Sequence, residues 1–212
     1  MEYKVIDNAM PDYVIEKWKD YYINHVRLES MRREAHKDNI PYQSTLFTFE
    51  EFVNIFDAEN WLLPHAQEFE SKASVAHLKR AHLNVNQTGD GFVMDGHVDI
   101  SSDWKTWVDN SYYLSCLVFL NPEVHGSQHF DTGLMLGDDT VNNVFNRLVL
   151  FDGRMWHKAK VPTDNLIRLT GYWSFSNVRG IRDSSVRRQN SAVGWKRANI
   201  KLSEDQKNKW HK

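Results

Sequence analysis

The chain of 212 residues carries 26 Lys/Arg against 28 Asp/Glu, a formal net charge of −2, with 41% hydrophobic and 13% aromatic residues. That length suits one domain with a sizeable core, and the near balance of charge creates no global field toward nucleic acid or a membrane. The single cysteine, Cys116, excludes an internal disulfide framework and any multi-cysteine metal site.

Residues 1–79 read as a helical N-terminal part packing on a core. After Pro11, the positions Val14, Ile15, Trp18, Tyr21, Tyr22, His25 and Val26 recur at helix spacing, with charged residues between them. Thr48 with Glu51 forms a capping box ahead of the stripe Phe52, Val53 and Phe56, which predicts a second helix. The stretch from about Leu63 to Leu78 reads as a third. The opening residues hold no apolar signal-like segment, and nowhere do about 18 apolar residues run together. We therefore expect neither a signal peptide nor a spanning helix, and a cytoplasmic location.

Across residues 80–177 the pattern changes to short β-rich runs. They are Leu83/Val85, Leu114 to Phe119, Leu148 to Phe151, Ile167/Leu169 and Tyr172 to Phe175. Turn clusters such as Asn121-Pro122, Gly137-Asp138 and Asp152-Gly153 separate them. Short strands at this spacing predict an antiparallel sandwich or barrel. Residues 178–212 are basic, with ten Lys/Arg against three Asp/Glu, about +7. This extension reads as a solvated tail, with an acidic or nucleic-acid partner as the alternative.

The chemistry sits in the β-rich part. In Gly96-His97-Val98-Asp99, residues i and i+2 of a strand share a face, so His97 and Asp99 can address one metal. Alone the pair reads more readily as a turn or surface group. His157 closes the strand-like run from Arg147, and chain-distant strands meet in a sandwich. Two histidines and one carboxylate form the facial ligand set of non-haem Fe(II) oxygenases, while zinc on the same ligands would favour hydrolysis. Arg168, inside the next apolar strand, points into a buried pocket that holds an anion, or else lies on a solvent face. Thr170 shares its face and can add a hydroxyl to the same anion.

Together, His97-x-Asp99, His157 and Arg168-x-Thr170 resemble the motif of the Fe(II)/2-oxoglutarate-dependent oxygenases, nearest the prolyl-4-hydroxylase-like branch. The resemblance covers residues 80 to 176, including "RLVLFDGRMWHKAKVP" and "RLTGYWSF". It implies a mainly β fold with N-terminal helices: a double-stranded β-helix, the cupin-like jelly roll, flanked by supporting helices. It implies that His97, Asp99 and His157 ligate the iron, and that Arg168 with Thr170 binds the far carboxylate of 2-oxoglutarate. Many prolyl hydroxylases use a tyrosine beside the cosubstrate; Asn84 or Asn86 stands in that neighbourhood here. The implied cofactors are Fe(II), 2-oxoglutarate and O2, with ascorbate admitted. The implied reaction hydroxylates a C–H bond of a peptidyl or free amino-acid substrate and releases succinate and CO2. No general base is needed, so we expect no catalytic group beyond the metal ligands. Other readings are a demethylating or nucleic-acid-modifying oxygenase and a non-catalytic jelly-roll binding module.

Trp104 and Trp107 follow the His-x-Asp strand and read either as substrate contacts at the pocket mouth or as packing against the helical part. His125 and His129 read as loop histidines, and His65, His77 and His82 as surface or satisfied core groups. A peptide or small molecule is the expected partner; nucleic acid is not favoured.

Overall fold

The structure is a computed structural model that describes residues 2–24, 29–30, 42–45, 56–87, 96–100, 109–121, 133–160, 167–178 and 196–197. Strand β1 (Tyr3–Ile6) leads into helix α1 (Asp12–Asn24), then β2 (Glu29–Ser30) and β3 (Tyr42–Thr45). Helix α2 (Ala58–Phe69) and a 3-10 turn at Val75–His77 follow. The remaining strands are β4 (Leu78–Gln87), β5 (Tyr113–Phe119), β6 (Leu134–Leu136), β7 (Asp139–Val141), β8 (Leu148–Asp152), β9 (His157–Ala159), β10 (Ile167–Ser176) and β11 (Lys196–Arg197).

Among the described residues these strands form two antiparallel sheets. The larger has the order β1-β8-β5-β10-β4-β3-β2-β11, and the smaller is β7-β6-β9. Alternation along β5, β8 and β10 explains how the layers stack. One face of the large sheet presents Leu114, Cys116, Val118, Leu148, Leu150, Leu169, Trp173 and Phe175. These pack with Val14 and Trp18 of α1 and with Trp61, Leu62 and Ala66 of α2. Phe56 joins them, its ring 5.2 Å from that of Trp18 and 5.8 Å from that of Trp173. The other face presents Leu117, Phe119, Val149 and Phe151, which meet Leu134, Leu136 and Val141 of the small sheet. Helices thus close one side of the large sheet, and the small sheet closes the other. Fully buried Cys116 sits on the helix side, where burial raises its thiol pKa well above the ordinary value. No helix among the described residues is long and apolar enough to cross a membrane.

The two-sheet fold with flanking helices matches the sequence expectation, but several local boundaries differ. The N-terminal part is not all helical: β1 pairs with β8, Tyr3 opposite Phe151, and β3 pairs with β4. The third helix starts at Ala58, upstream of Leu63, because Ala58, Trp61, Leu62 and Ala66 form the buried stripe. It ends at Phe69, and the chain is already a strand from Leu78. Ile167/Leu169 and Tyr172 to Phe175 belong to one strand, in which Gly171 pairs with Val118 and Leu83 on either side. The run from Arg147 does not end in His157. It turns at Gly153 and Arg154, so that His157 opens β9 in the small sheet. The capping box at Thr48 lies outside the described residues, as do His125, His129 and nearly all of the basic extension.

Candidate metal centre

His97 and His157 face each other as an isolated antiparallel bridge. The amide of His97 donates to the carbonyl of His157 at 2.9 Å, and that of His157 donates back at 2.8 Å. Directly opposite residues of an antiparallel pair project to the same side, and the two imidazole centroids lie 4.3 Å apart. His97 is thus placed by one bridge, where the sequence reading had it within a strand. Asp99 sits just beyond in a bend, pinned by its amide, which donates to the carbonyl of Gly153 at 2.8 Å. That turn needs glycine for close approach: a Cβ on Gly153 would lie 2.2 Å from Cδ1 of Tyr113.

The three side chains converge. Oδ1 of Asp99 lies 3.6 Å from Nε2 of His97 and 3.7 Å from Nε2 of His157. One ligand atom from each residue lies within 4.8 Å of the others, a group that could hold a metal ion. Metal–ligand bonds of about 2.0–2.2 Å put neighbouring donors roughly 3 Å apart, so the carboxylate and each imidazole need to approach one another only slightly to close on an ion. Nδ1 of His157 donates to the carbonyl of Met155 at 3.0 Å, which leaves Nε2 as the bare donor. Burial lowers the His157 pKa, and Asp99 and the Met155 carbonyl offset this in part, so the ring is neutral and ligand-ready at neutral pH. For Asp99, burial alone would raise the pKa. The imidazoles of His97 and His157, with the hydroxyls of Ser115 and Tyr172, override it and hold the carboxyl well below the usual carboxylate range.

Exposure is uneven across the triad. The side chain of His97 is 46% exposed, whereas those of Asp99 and His157 are 7% exposed. His97 therefore marks the open side of the centre.

Arg168 lies on β10 and is 2% exposed, with its guanidinium carbon 5.5 Å from the Phe119 ring centroid. The alternation of β10 puts Arg168, Thr170 and Tyr172 on one face, and Tyr172 donates from its hydroxyl to Asp99. A buried cation and the triad therefore share the space between the sheets, and the solvent-face alternative for Arg168 falls. The Oγ1 of Thr170 is fully buried and has no hydrogen-bond partner among the described residues. Half-buried Asn84 stands opposite Thr170 in the register of β4. Trp104 and Trp107 lie outside the described residues.

Three side chains near Asp99 escaped the sequence reading: Ser115, Tyr172 and Arg80. Ser115 donates to Oδ2 of Asp99 at 2.5 Å and Tyr172 donates to the same atom at 2.7 Å. The available signals were a lone serine in the buried run Leu114 to Phe119, and a tyrosine two residues past Thr170. Of the other histidines, His77 bonds the Tyr112 hydroxyl at 2.8 Å, and the His82 ring lies 4.8 Å from that of Tyr172.

No family model matches the chain, and no curated protein matches it in sequence. Solved structures do. One is a prolyl hydroxylase of Trichoplax adhaerens in complex with a hypoxia-inducible-factor oxygen-degradation-domain peptide. It is 17% identical with a TM-score of 0.52, over 82% of this chain and 83% of that one. The non-haem α-ketoglutarate-dependent epimerase SnoN from nogalamycin biosynthesis is 9% identical with a TM-score of 0.58, over 96% and 91%. EvdO2 from Micromonospora carbonacea var. aurantiaca, complexed with 2-oxoglutarate, is 13% identical with a TM-score of 0.57, over 82% and 85%. The chain has the double-stranded β-helix fold of these oxygenases.

Proposed function

We propose that the protein is an Fe(II)/2-oxoglutarate-dependent oxygenase that hydroxylates a C–H bond and releases succinate and CO2. The observation that carries this reading is the shared face of β10. Tyr172 touches the candidate metal centre, and buried Arg168 and Thr170 lie two to four residues along the same row, within roughly 13 Å of strand. A five-carbon diacid, with one end on a metal and the other on a cation, is the class of cosubstrate that such an arrangement would take. Its structural neighbours include a protein solved with Fe3+, α-ketoglutarate and nogalamycin RO, and another solved with nickel, 2-oxoglutarate and hygromycin B.

His97, Asp99 and His157 would hold the iron, whose two-histidine, one-carboxylate ligation leaves positions open for cosubstrate and dioxygen and so supplies oxidative decarboxylation and C–H oxidation. The chain's own residues do the rest. Asp99 is ionised at neutral pH and His157 is neutral, so neither must shed a proton to ligate. Arg168 grips the far carboxylate with its two-pronged guanidinium, and the Thr170 hydroxyl donates to the same group. Asn84 lines that end across the register. Phe119, beside the Arg168 guanidinium, and the apolar cluster it belongs to would keep water from that end. The substrate enters on the side of His97. A peptidyl or free amino-acid side chain is the substrate class we favour; a peptide-bound prolyl hydroxylase among the similar folds supports it.

The test is succinate release from 2-oxoglutarate, with Fe(II) and ascorbate, in the presence of peptide and amino-acid pools. Turnover should require Fe(II) and vanish in Asp99→Ala and His157→Ala. A chain that binds neither Fe(II) nor 2-oxoglutarate refutes the reading.

A further inference from the structure

A carboxylate can bind a metal through one oxygen or through both. The difference matters at this centre. Two histidines and a one-oxygen aspartate leave three positions of an octahedron, enough for a two-pronged cosubstrate and dioxygen together. A two-oxygen aspartate leaves only two, and the reaction then lacks a place for one reactant. Something in the chain has to settle which mode Asp99 adopts.

The residues behind Asp99 are unusual for their place in the fold. Ser115 is fully buried in a strand whose other members are apolar or aromatic, and Tyr172 is 6% exposed on the neighbouring strand. Both hydroxyls point at one atom, Oδ2 of Asp99, at 2.5 and 2.7 Å, and they stand 3.1 Å from each other. A carboxylate oxygen accepts about two hydrogen bonds, so these two donors fill Oδ2. Oδ1 has neither hydroxyl on it, and it is the atom that faces both Nε2 atoms. Two strands and a bend distant in sequence build this arrangement, with Ser115 and Tyr172 16 and 73 residues from Asp99.

We propose that Ser115 and Tyr172 are positioning residues, a paired hydroxyl clamp that holds Asp99 as a one-oxygen ligand and keeps Oδ2 off the metal. This rests on the iron-oxygenase reading above and deepens it. The next row continues the network: the Tyr113 hydroxyl donates to Oγ of Ser174 at 3.1 Å, and Ser174 pairs with Arg80 across the register.

The experiment compares wild type with Ser115→Ala, Tyr172→Phe, the double variant and Ser115→Thr, which keeps the hydroxyl. Anaerobic Fe(II) affinity is read by competition with a chromophoric chelator. Co(II)-loaded protein adds a visible absorption spectrum whose band positions and intensity report coordination number, a property that a merely structural role would not move. Fe(II) binding should weaken about 10- to 100-fold in the double variant, by the usual cost of losing partners that orient a ligand. The Co(II) spectrum should change in the alanine and phenylalanine variants, and Ser115→Thr should track wild type. Variants within about threefold of wild-type Fe(II) affinity and with an unchanged Co(II) spectrum overturn the clamp. A wild-type chain that takes up no Fe(II) overturns the parent reading and the clamp with it. Ser115→Ala and Tyr172→Phe each delete a single oxygen atom, so the comparison stands even if the double variant does not fold.

Discussion

Thr170→Val separates a residue kept for binding from one kept for folding. The Oγ1 of Thr170 is fully buried with no hydrogen-bond partner among the described residues, and so it costs stability in the free protein. Valine has nearly the same shape without the polar atom. Removing an unsatisfied hydroxyl should stabilise the metal-loaded, cosubstrate-free protein by about 1 kcal/mol, which for a chain of this size is about 2–4 °C in Tm. The same change should weaken 2-oxoglutarate binding, because a hydrogen bond to a charged group contributes about 1.5–3 kcal/mol, or about tenfold to a hundredfold in affinity. The two effects oppose each other in one melting experiment. At a concentration about 100 times the wild-type Kd, 2-oxoglutarate stabilises wild type by about 2.7 kcal/mol; a variant binding tenfold more weakly gains only about 1.4. The order of stability should therefore invert: valine is the more stable without 2-oxoglutarate, threonine with it. Thermal unfolding of the metal-loaded protein across a cosubstrate titration reads both. A variant that is destabilised without 2-oxoglutarate, or that shifts as much as wild type with it, refutes the role assigned to Thr170.

Arg168→Ala removes a charge that is 2% exposed, so its loss should cost roughly 2–5 kcal/mol of cosubstrate binding. The apparent 2-oxoglutarate affinity should fall at least about 30-fold, as read by titration of succinate release, and an unchanged dependence places the anchor elsewhere. Gly153→Ala forces a Cβ to within 2.2 Å of the Tyr113 ring at the turn that pins the Asp99 amide. It should destabilise the fold by about 1–3 kcal/mol in urea unfolding and lower metal affinity as well. The pH dependence has a definite sign. Burial holds the folded pKa of His157 below its ordinary value of 6.5, so the unfolded chain takes up the proton first as pH falls. The stability of metal-free protein should be full above about pH 6.5 and decline as pH falls through the folded value. His157→Gln should flatten that decline in urea midpoints measured from about pH 7 to about pH 5. Asp99, held below its ordinary 3.8, adds a contribution that is lost only in more acidic solution.

The sequence by itself determined the parts of this protein that rest on local alternation. Strands β5, β8 and β10 are apolar runs bounded by turn residues, and alternation within β10 already set Arg168 and Thr170 on one face. His-x-Asp and a distant histidine likewise sufficed to single out the three side chains that converge, and a charged residue inside an apolar strand to single out the buried Arg168. Only the tertiary structure decided what depends on pairing across the chain. Tyr3–Ile6 is too short to be read as a strand, and becomes one because the edge of β8 offers it a ladder. The sharp turn at Gly153 parts β8 from β9, and so His157 reaches His97 from the small sheet and not from the run it follows in sequence. The clamp on Asp99 was hidden for the same reason. In sequence, Ser115 looks like a small core residue and Tyr172 like a large one. Each becomes a hydrogen-bond donor to a carboxylate of the candidate metal centre only when strand register carries it across 16 and 73 residues to Oδ2 of Asp99. Which face a side chain takes follows from its neighbours along the strand, but what it meets there depends on strand pairing, and that long-range choice leaves no local pattern to read.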